Sequence, residues 1–189
     1  MSIKTSSDPG VPFEIAIANL IESLYPDYNI LQTDTKDAFD LLVIKSDGRK
    51  VGIEVKNRVN TTRNPSPLYF DPAQVEPPYT IGPPRRTSTL LLDKNKYDNL
   101  KELLKQNKVD NIIILYIFSN CIAYSCLEDE IREVKHFCPR TTSFYNTSGV
   151  LKEQVEFVNP ETYPIDYSDL CLRYLYQSRV FEGIKIKDL

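Results

Sequence analysis

The chain has 189 residues, of which 41% are hydrophobic and 26% charged, with a mean hydropathy of -0.34 and a net charge of -3. These values are typical of one globular domain with its own core, and they exclude a disordered chain or a surface coated in basic residues. No apolar run approaches the roughly 20 residues of a membrane helix, and the opening MSIKTSSDPG lacks the apolar segment of a signal peptide, so we expect a cytoplasmic protein.

The first half of the chain contains one predicted helix, three predicted strands and a proline-rich segment. Apolar residues at helical spacing after Pro12 predict a helix over residues 12–25. Period-two and β-branched runs predict strands over 28–33, 38–44 and 49–59. Residues 60–84 contain seven prolines, which exclude a helix or a central strand. That segment is therefore predicted to be a long loop, and loops of this size in compact domains tend to be functional.

The second half begins with a predicted helix over residues 93–106 and a buried central strand over 111–118. The further predictions are a strand at 121–127, an acidic helix at 128–134, a loop at 136–148, an edge strand at 154–158 and a terminal helix at 167–177. This order indicates an α/β or α+β fold with a mixed sheet. We expect a single domain over 1–189, with a core at about 12–134 and an irregular C-terminal extension at 135–189.

Positive charge is concentrated in one segment of the chain. Residues 41–96 contain ten Lys or Arg and five Asp or Glu, a balance of +5 that leaves -8 for the remainder. A polyanion is expected to bind here, although a chance cluster on a solvated face explains the same count.

The four cysteines, Cys121, Cys126, Cys138 and Cys171, contain no CxxC spacing, so reduced structural thiols are expected rather than a zinc site with His136. Cys121 and Cys126 lie five residues apart in a predicted strand, which places them on opposite faces.

The turn between the second and third predicted strands decides where two carboxylates lie. A three-residue loop, Ser46-Asp47-Gly48, ends on the glycine that such loops favour. If this loop closes the hairpin, Asp40 lies opposite Glu54 on the same face of the sheet. A two-residue Asp-Gly turn shifts the register and places the two acids on opposite faces. We favour the three-residue loop. Two opposed carboxylates repel, so a cation is expected between them: either Lys56, on the same face as Glu54, or a divalent ion such as Mg2+.

Glu14 lies inside the apolar arc of the first predicted helix, so it points toward whatever that helix packs on. A buried carboxylate is costly unless it is paired or ligated. The alternative is that Glu14, in the first turn, only favours the positive end of the helix dipole.

Glu14 on an opening helix, Asp40 on the second strand and Glu54-Val55-Lys56 on the third resemble the PD-(D/E)XK nuclease superfamily, which includes Holliday-junction resolvases and many restriction enzymes. The resemblance covers about residues 12–118 and implies a restriction-endonuclease-like αβββαβ core, with a mixed central sheet flanked by helices. Phe39 stands where the superfamily's name has proline. The tripeptide alone is not specific, because Glu133-Val134-Lys135 repeats it after the predicted acidic helix, with no strand before it and no partnered aspartate.

The resemblance implies that Glu14, Asp40, Glu54 and Lys56 are catalytic. Asp40 and Glu54 would ligate Mg2+, for which Mn2+ can substitute, together with the backbone carbonyl of Val55. Lys56 would orient or help deprotonate the attacking water, and Glu14 would hold a second metal ion or a metal-bound water.

The expected substrate is DNA, held by four basic residues around the proline-rich segment: Arg58, Arg63, Arg85 and Arg86. Enzymes of this kind that cut both strands usually act in pairs, so a homodimer is expected, without an organic cofactor. Two alternatives stay open: a non-catalytic nucleic-acid-binding or assembly module with the same fold, and a nuclease that acts on RNA.

Overall fold

The structure is a computed structural model and describes residues 11–34, 38–58, 90–118, 121–139, 149–164 and 189. Within these ranges the chain forms two helices and nine strands. The helices are α1 (Val11–Leu24) and α2 (Lys94–Lys105). The strands are β1 (Asn29–Gln32), β2 (Leu41–Ile44), β3 (Lys50–Asn57), β4 (Leu90–Asp93), β5 (Asn111–Ile117), β6 (Cys121–Cys126), β7 (Ile131–Pro139), β8 (Gly149–Phe157) and β9 (Glu161–Pro164).

The strands form two sheets. The larger has the order β1-β2-β3-β5-β6-β9, and the smaller has the order β4-β8-β7. In the larger sheet β3 and β5 are parallel and every other neighbouring pair is antiparallel. A parallel pair needs a crossover connection, and the segment between β3 and β5 contains β4 and α2. The fold is therefore mixed α/β, as predicted.

The two faces of the larger sheet bury two separate apolar clusters. On one face α1 packs through residues such as Ile17 and Ile21 against Leu41, Ile53 and Leu115. On the other face, α2 and the smaller sheet cover the side chains of the larger sheet that point away from α1. Members of this second cluster include Tyr97, Leu100, Ile112, Ile114, Tyr116 and Phe157. Since both faces of β5 are covered, the six residues that follow Asn111 in this strand form a continuous apolar run.

Most of the elements predicted between residues 12 and 127 are confirmed. Helix α1 and strands β1 and β3 lie within a few residues of their predicted bounds, as do α2, β5 and β6. The predicted strand over 38–44 is shorter, because only Leu41–Ile44 is extended and residues 38–40 form a bend. The two thiols are also placed as expected: Cys121 lies in the cluster under α2, and Cys126 contacts the cluster under α1.

The predicted acidic helix over 128–134 is wrong, because a turn leads there directly into β7. The cause is tertiary. Arg132 and Lys135 lie directly opposite Glu156 and Glu153 on β8, and both opposed pairs form salt bridges. Cross-strand ion pairs and the burial of Val134 outweigh a helical charge pattern that no partner stabilises.

Three further differences concern strands. Residues 136–139, predicted as loop, continue β7. The predicted edge strand over 154–158 is the end of the nine-residue β8, which pairs with both β4 and β7 and is therefore the central strand of the smaller sheet. Strands β4 and β9 were not predicted. The expected irregular extension is thus mostly strand where the structure describes it, at 135–139, 149–157 and 161–164, with residues 158–160 between the last two strands.

The predicted proline-rich loop at 60–84 and the terminal helix at 167–177 lie outside the described residues. Among the helices described, neither is long and apolar enough to cross a membrane.

Candidate active site

The turn after β2 has three residues, as predicted. The backbone N–H of Lys45 donates to the carbonyl of Arg49 over 2.8 Å, so these two residues close the hairpin. Gly48 has a φ of 85°, in the left-handed region where a side chain is strained. The ladder then runs from Ile44 opposite Lys50 to Leu41 opposite Ile53, which brings Asp40 to Glu54.

Asp40 binds the backbone on both sides of Glu54. Its N–H donates to the carbonyl of Ile53 over 2.9 Å, and its Oδ2 accepts from the N–H of Val55 over 2.8 Å. The Asp40 carboxylate thus accepts a backbone hydrogen bond at the end of the ladder, just beyond the last paired residue of β2. These two bonds fix Asp40 at the same end of the sheet as Glu54.

The residue before Asp40 has a packing role. The ring of Phe39 lies over Gly52, and a Cβ built on Gly52 would lie 2.8 Å from its Cδ1. No side chain fits under that ring, so the glycine of β3 and the aromatic residue beside Asp40 are complementary in shape.

Among the predicted site residues that the structure describes, Glu54 is the most buried, with 2% of its surface exposed. Its Oε1 lies 2.5 Å from Lys56 Nζ, and its Oε2 lies 3.0 Å from Lys96 Nζ. The Lys96 contact is an ion pair without hydrogen-bond alignment, since Oε2 has no hydrogen-bond partner among the described residues. Two ammonium groups therefore offset the charge of one buried carboxylate, as burial requires.

Tyr116 lies beside Lys56 in the ladder between β3 and β5 and is fully buried. Its hydroxyl has no hydrogen-bond partner among the described residues, and burial raises its pKa well above the usual value. The Arg58 guanidinium lies over the Tyr116 ring, 5.7 Å from the centroid, and donates to the carbonyl of Leu91 over 3.1 Å. Arg58, predicted to bind DNA, is therefore engaged with the protein itself here.

Glu14 lies on α1, the helix that covers the opposite face of the sheet from α2. It is buried, and its Oε2 accepts from Gln32 Nε2 over 3.2 Å. Gln32 pairs with Leu41, and the N–H of Thr33 donates to the carbonyl of Asp40 over 3.0 Å. Glu14 is thus tied, through β1, to the end of the sheet that carries Asp40.

The predicted site residues are brought to one end of the sheet, but not into one ligand group. Within the ranges that the structure describes, no three His, Cys, Asp or Glu side chains are arranged to hold a metal ion. Arg63, Arg85 and Arg86 lie outside the described residues, so their predicted contacts with DNA stay predictions.

The second Glu-Val-Lys tripeptide lies on a strand after all, because residues 133–135 belong to β7. The difference from the first is its environment. Glu133 is exposed, and Lys135 pairs with Glu153 on the neighbouring strand over 2.7 Å. Burial of the glutamate, rather than the strand itself, distinguishes Glu54.

Sequence reasoning missed Lys96 as a site residue. The available signal was its position in the first turn of a helix predicted to pack on the sheet, but the sequence does not tell which strand that turn meets. Tyr116 was likewise read only as part of an apolar run.

Comparison of the chain with protein-family models, with curated proteins and with solved structures gives no match.

Proposed function

We propose that this chain is a metal-dependent nuclease that hydrolyses DNA phosphodiester bonds, with a site and a core of the PD-(D/E)XK type. The observation that carries the proposal is the buried carboxylate of Glu54, with Lys56 on one oxygen and Asp40 bonded to the backbone on either side. A carboxylate pair with an adjacent amine is the chemistry that metal-assisted phosphodiester hydrolysis requires.

The oxygen donors fit a hard divalent cation in part. Asp40 and Glu54 would hold Mg2+ or Mn2+ with the Val55 carbonyl, since such ions prefer carboxylate and carbonyl oxygens. Glu14 accepts a hydrogen bond from Gln32 at the same end of the sheet, so its proposed role is to hold a second cation or a metal-bound water. A cation bound here lowers the pKa of its water and polarises the phosphate.

The protein's own side chains would supply the other roles in the reaction. Lys56 is one-third exposed, so its amine has access to solvent while it contacts Glu54. In that position it can orient an attacking water and offset negative charge as the phosphate becomes five-coordinate. Asp40 keeps Val55 and Glu54 in register, because its carboxylate is bonded into the backbone of β3.

One observation favours a non-catalytic nucleic-acid-binding module. Each oxygen of Glu54 already lies beside a lysine amine, an arrangement that also suits a structural ion cluster. In that case the protein keeps the fold and the charge cluster but does not cleave nucleic acid.

A cleavage assay separates the two candidates. Plasmid, branched and single-stranded DNA, and RNA in parallel, are incubated with the protein in Mg2+ or Mn2+. Asp40→Asn and Lys56→Met should abolish cleavage while the fold is kept. Lys108→Met is the control, because it makes the same change at an exposed lysine beyond the C-terminal end of α2 and should leave cleavage intact. Equal products from all four proteins would assign the cleavage to a contaminant, and no products from any would support the binding module.

Cleavage of both DNA strands would require two such sites, so the homodimer is part of the same proposal. The partner is DNA in the leading proposal, and the RNA arm of the assay tests the alternative substrate.

A further inference from the structure

A groove opens beside the candidate site on the face covered by α2. Its volume is about 580 Å³, within the range of ligand-binding clefts. Three lysines line it: Lys94 and Lys96 from the first turn of α2, and Lys152 from β8. Since Lys152 belongs to the smaller sheet, the groove runs between that sheet and α2.

Lys96 is the residue that the groove and the candidate site share. Its Nζ lies 3.0 Å from Glu54 Oε2, while its side chain keeps 29% exposure and lines the groove. Glu54 itself is only 3% exposed at its side chain. A ligand in the groove would therefore meet the amine of Lys96 before it meets the carboxylate.

The charge of the groove favours an anion. Its three lysines exceed its two acidic residues, Asp93 and Glu153, by one charge, in a chain whose net charge is -3. Two of the lysines and both acids have partners outside this lining. Lys94 pairs with Asp98 over 2.5 Å and Lys96 with Glu54 over 3.0 Å, while Asp93 accepts from Gln154 over 2.8 Å and Glu153 pairs with Lys135 over 2.7 Å. Lys152 is exposed and makes no ion pair with any residue that the structure describes.

The groove also offers neutral donors suited to phosphate oxygens. The exposed amides of Asn95 and Asn99 line it beside the lysines. Lysine amines and asparagine amides are among the groups that contact the sugar-phosphate backbone of nucleic acids without reading its sequence. An apolar ligand would find little to bind in such a lining.

We propose that this groove receives the phosphodiester backbone of the nucleic acid next to the bond that is cut, and that Lys96 contacts a phosphate there. The inference rests on the proposed function for the identity of the site, and it names the surface that brings the substrate to Glu54. Without a divalent cation, the Lys96 amine pairs with the Glu54 carboxylate. A cation bound to that carboxylate would offset its negative charge, so the Lys96 amine could contact a phosphate instead.

The test measures DNA binding rather than cleavage. Fluorescence anisotropy with a labelled duplex, at several salt concentrations, is run in EDTA and in Ca2+ for the wild type, Lys152→Ala and Lys96→Ala. Each lost phosphate contact lowers the slope of log Kobs against log salt concentration by about one. Lys108→Ala is the matched control, because this exposed lysine lies beyond the other end of α2.

We expect Lys152→Ala to reduce affinity and slope in both buffers. Lys96→Ala should reduce them more in Ca2+ than in EDTA, a difference that a purely structural lysine would not produce. Far-UV circular dichroism checks that each variant is folded; Lys96→Arg, which keeps the charge, should bind like the wild type even if Lys96→Ala is less stable.

Wild-type affinity and slope in Lys152→Ala, together with no buffer dependence in Lys96→Ala, would overturn the inference. If the wild type nevertheless cleaves DNA in Mg2+ or Mn2+, the proposed nuclease still stands and only the groove proposal fails. If the slopes change as expected but no substrate is cut in Mg2+ or Mn2+, the groove stands and the enzymatic proposal fails. A wild type without affinity for duplex or single-stranded nucleic acid in either buffer contradicts both.

Discussion

Asp40 and Val55 are joined by a hydrogen bond from the Val55 N–H to Asp40 Oδ2, 2.8 Å long, at the point where the ladder between β2 and β3 ends. The aspartate therefore has a structural role that does not depend on its charge. Its proposed role in holding a cation does depend on charge, so the two roles can be separated by substitution.

Asp40→Asn keeps an acceptor oxygen for the Val55 N–H, whereas Asp40→Ala leaves that donor without its partner. We expect the alanine variant to lose about 1 to 2 kcal/mol of unfolding free energy and the asparagine variant well under half of that. Urea denaturation measures both values. Equal losses in the two variants would contradict a role for the hydrogen bond, and cleavage by Asp40→Asn would contradict the role of the charge.

Gly52→Ala should destabilise the protein by about 1 to 3 kcal/mol, because the new methyl group would overlap the ring of Phe39. The double variant Gly52→Ala/Phe39→Leu should recover part of this loss, since the smaller side chain leaves room. Thermal denaturation monitored by circular dichroism provides the comparison. A stability for Gly52→Ala equal to that of the wild type would mean that Phe39 does not lie over the glycine.

Glu54 and Lys96 should be coupled in stability, although 42 positions separate them. In a double-mutant cycle with Glu54→Gln and Lys96→Met we expect a coupling free energy of about 1 to 2 kcal/mol that favours the native pair. Because Lys96 is partly exposed, the coupling should weaken as salt is added. A coupling indistinguishable from zero at low salt would remove the ion pair as a feature of the folded protein.

Tyr116→Phe should change the free energy of unfolding by no more than about 0.5 kcal/mol, or should stabilise the protein. The hydroxyl that it removes is buried without a hydrogen-bond partner among the described residues, so its desolvation is not offset. The aromatic contact with Arg58 is kept. Tyr124→Phe is the comparison, because the Tyr124 hydroxyl donates to Glu161 over 2.8 Å and its loss should cost more. A larger loss for Tyr116→Phe than for Tyr124→Phe contradicts this interpretation.

Cys121 should resist alkylation in the folded protein, because burial raises the pKa of its thiol to about 11. The shift is upward, so the protonated thiol favours the native state below the ordinary pKa of 9.0, and this contribution disappears as the pH rises through about 11. Iodoacetamide at pH 8 with peptide mapping should label Cys126, which is less buried, before Cys121. In urea the two should react at similar rates; faster labelling of Cys121 in the native protein would be the contrary result.

The sequence by itself determined the elements whose signals are local. The helical spacing after Pro12 specified α1, the uninterrupted apolar run at 111–118 specified the central strand β5, and the glycine at the end of Ser46-Asp47-Gly48 specified the turn. The length of that turn also fixed the register of β2 and β3, which places Asp40 next to Glu54 in the ladder direction. Backbone geometry and side-chain periodicity act over a few residues, so a single sequence contains enough information to predict them.

Only the tertiary structure decided which distant groups meet. Residues 131–139 pair as a strand because β8 supplies acids opposite Arg132 and Lys135. Glu54 acquires a second amine because Lys96, in the first turn of α2, contacts it. Helix packing also placed Glu14 on the other face, tied to the site through Gln32 rather than beside Glu54. These contacts depend on how whole elements pack against one another, and the free energy that selects that packing comes from burial across the chain rather than from any local pattern.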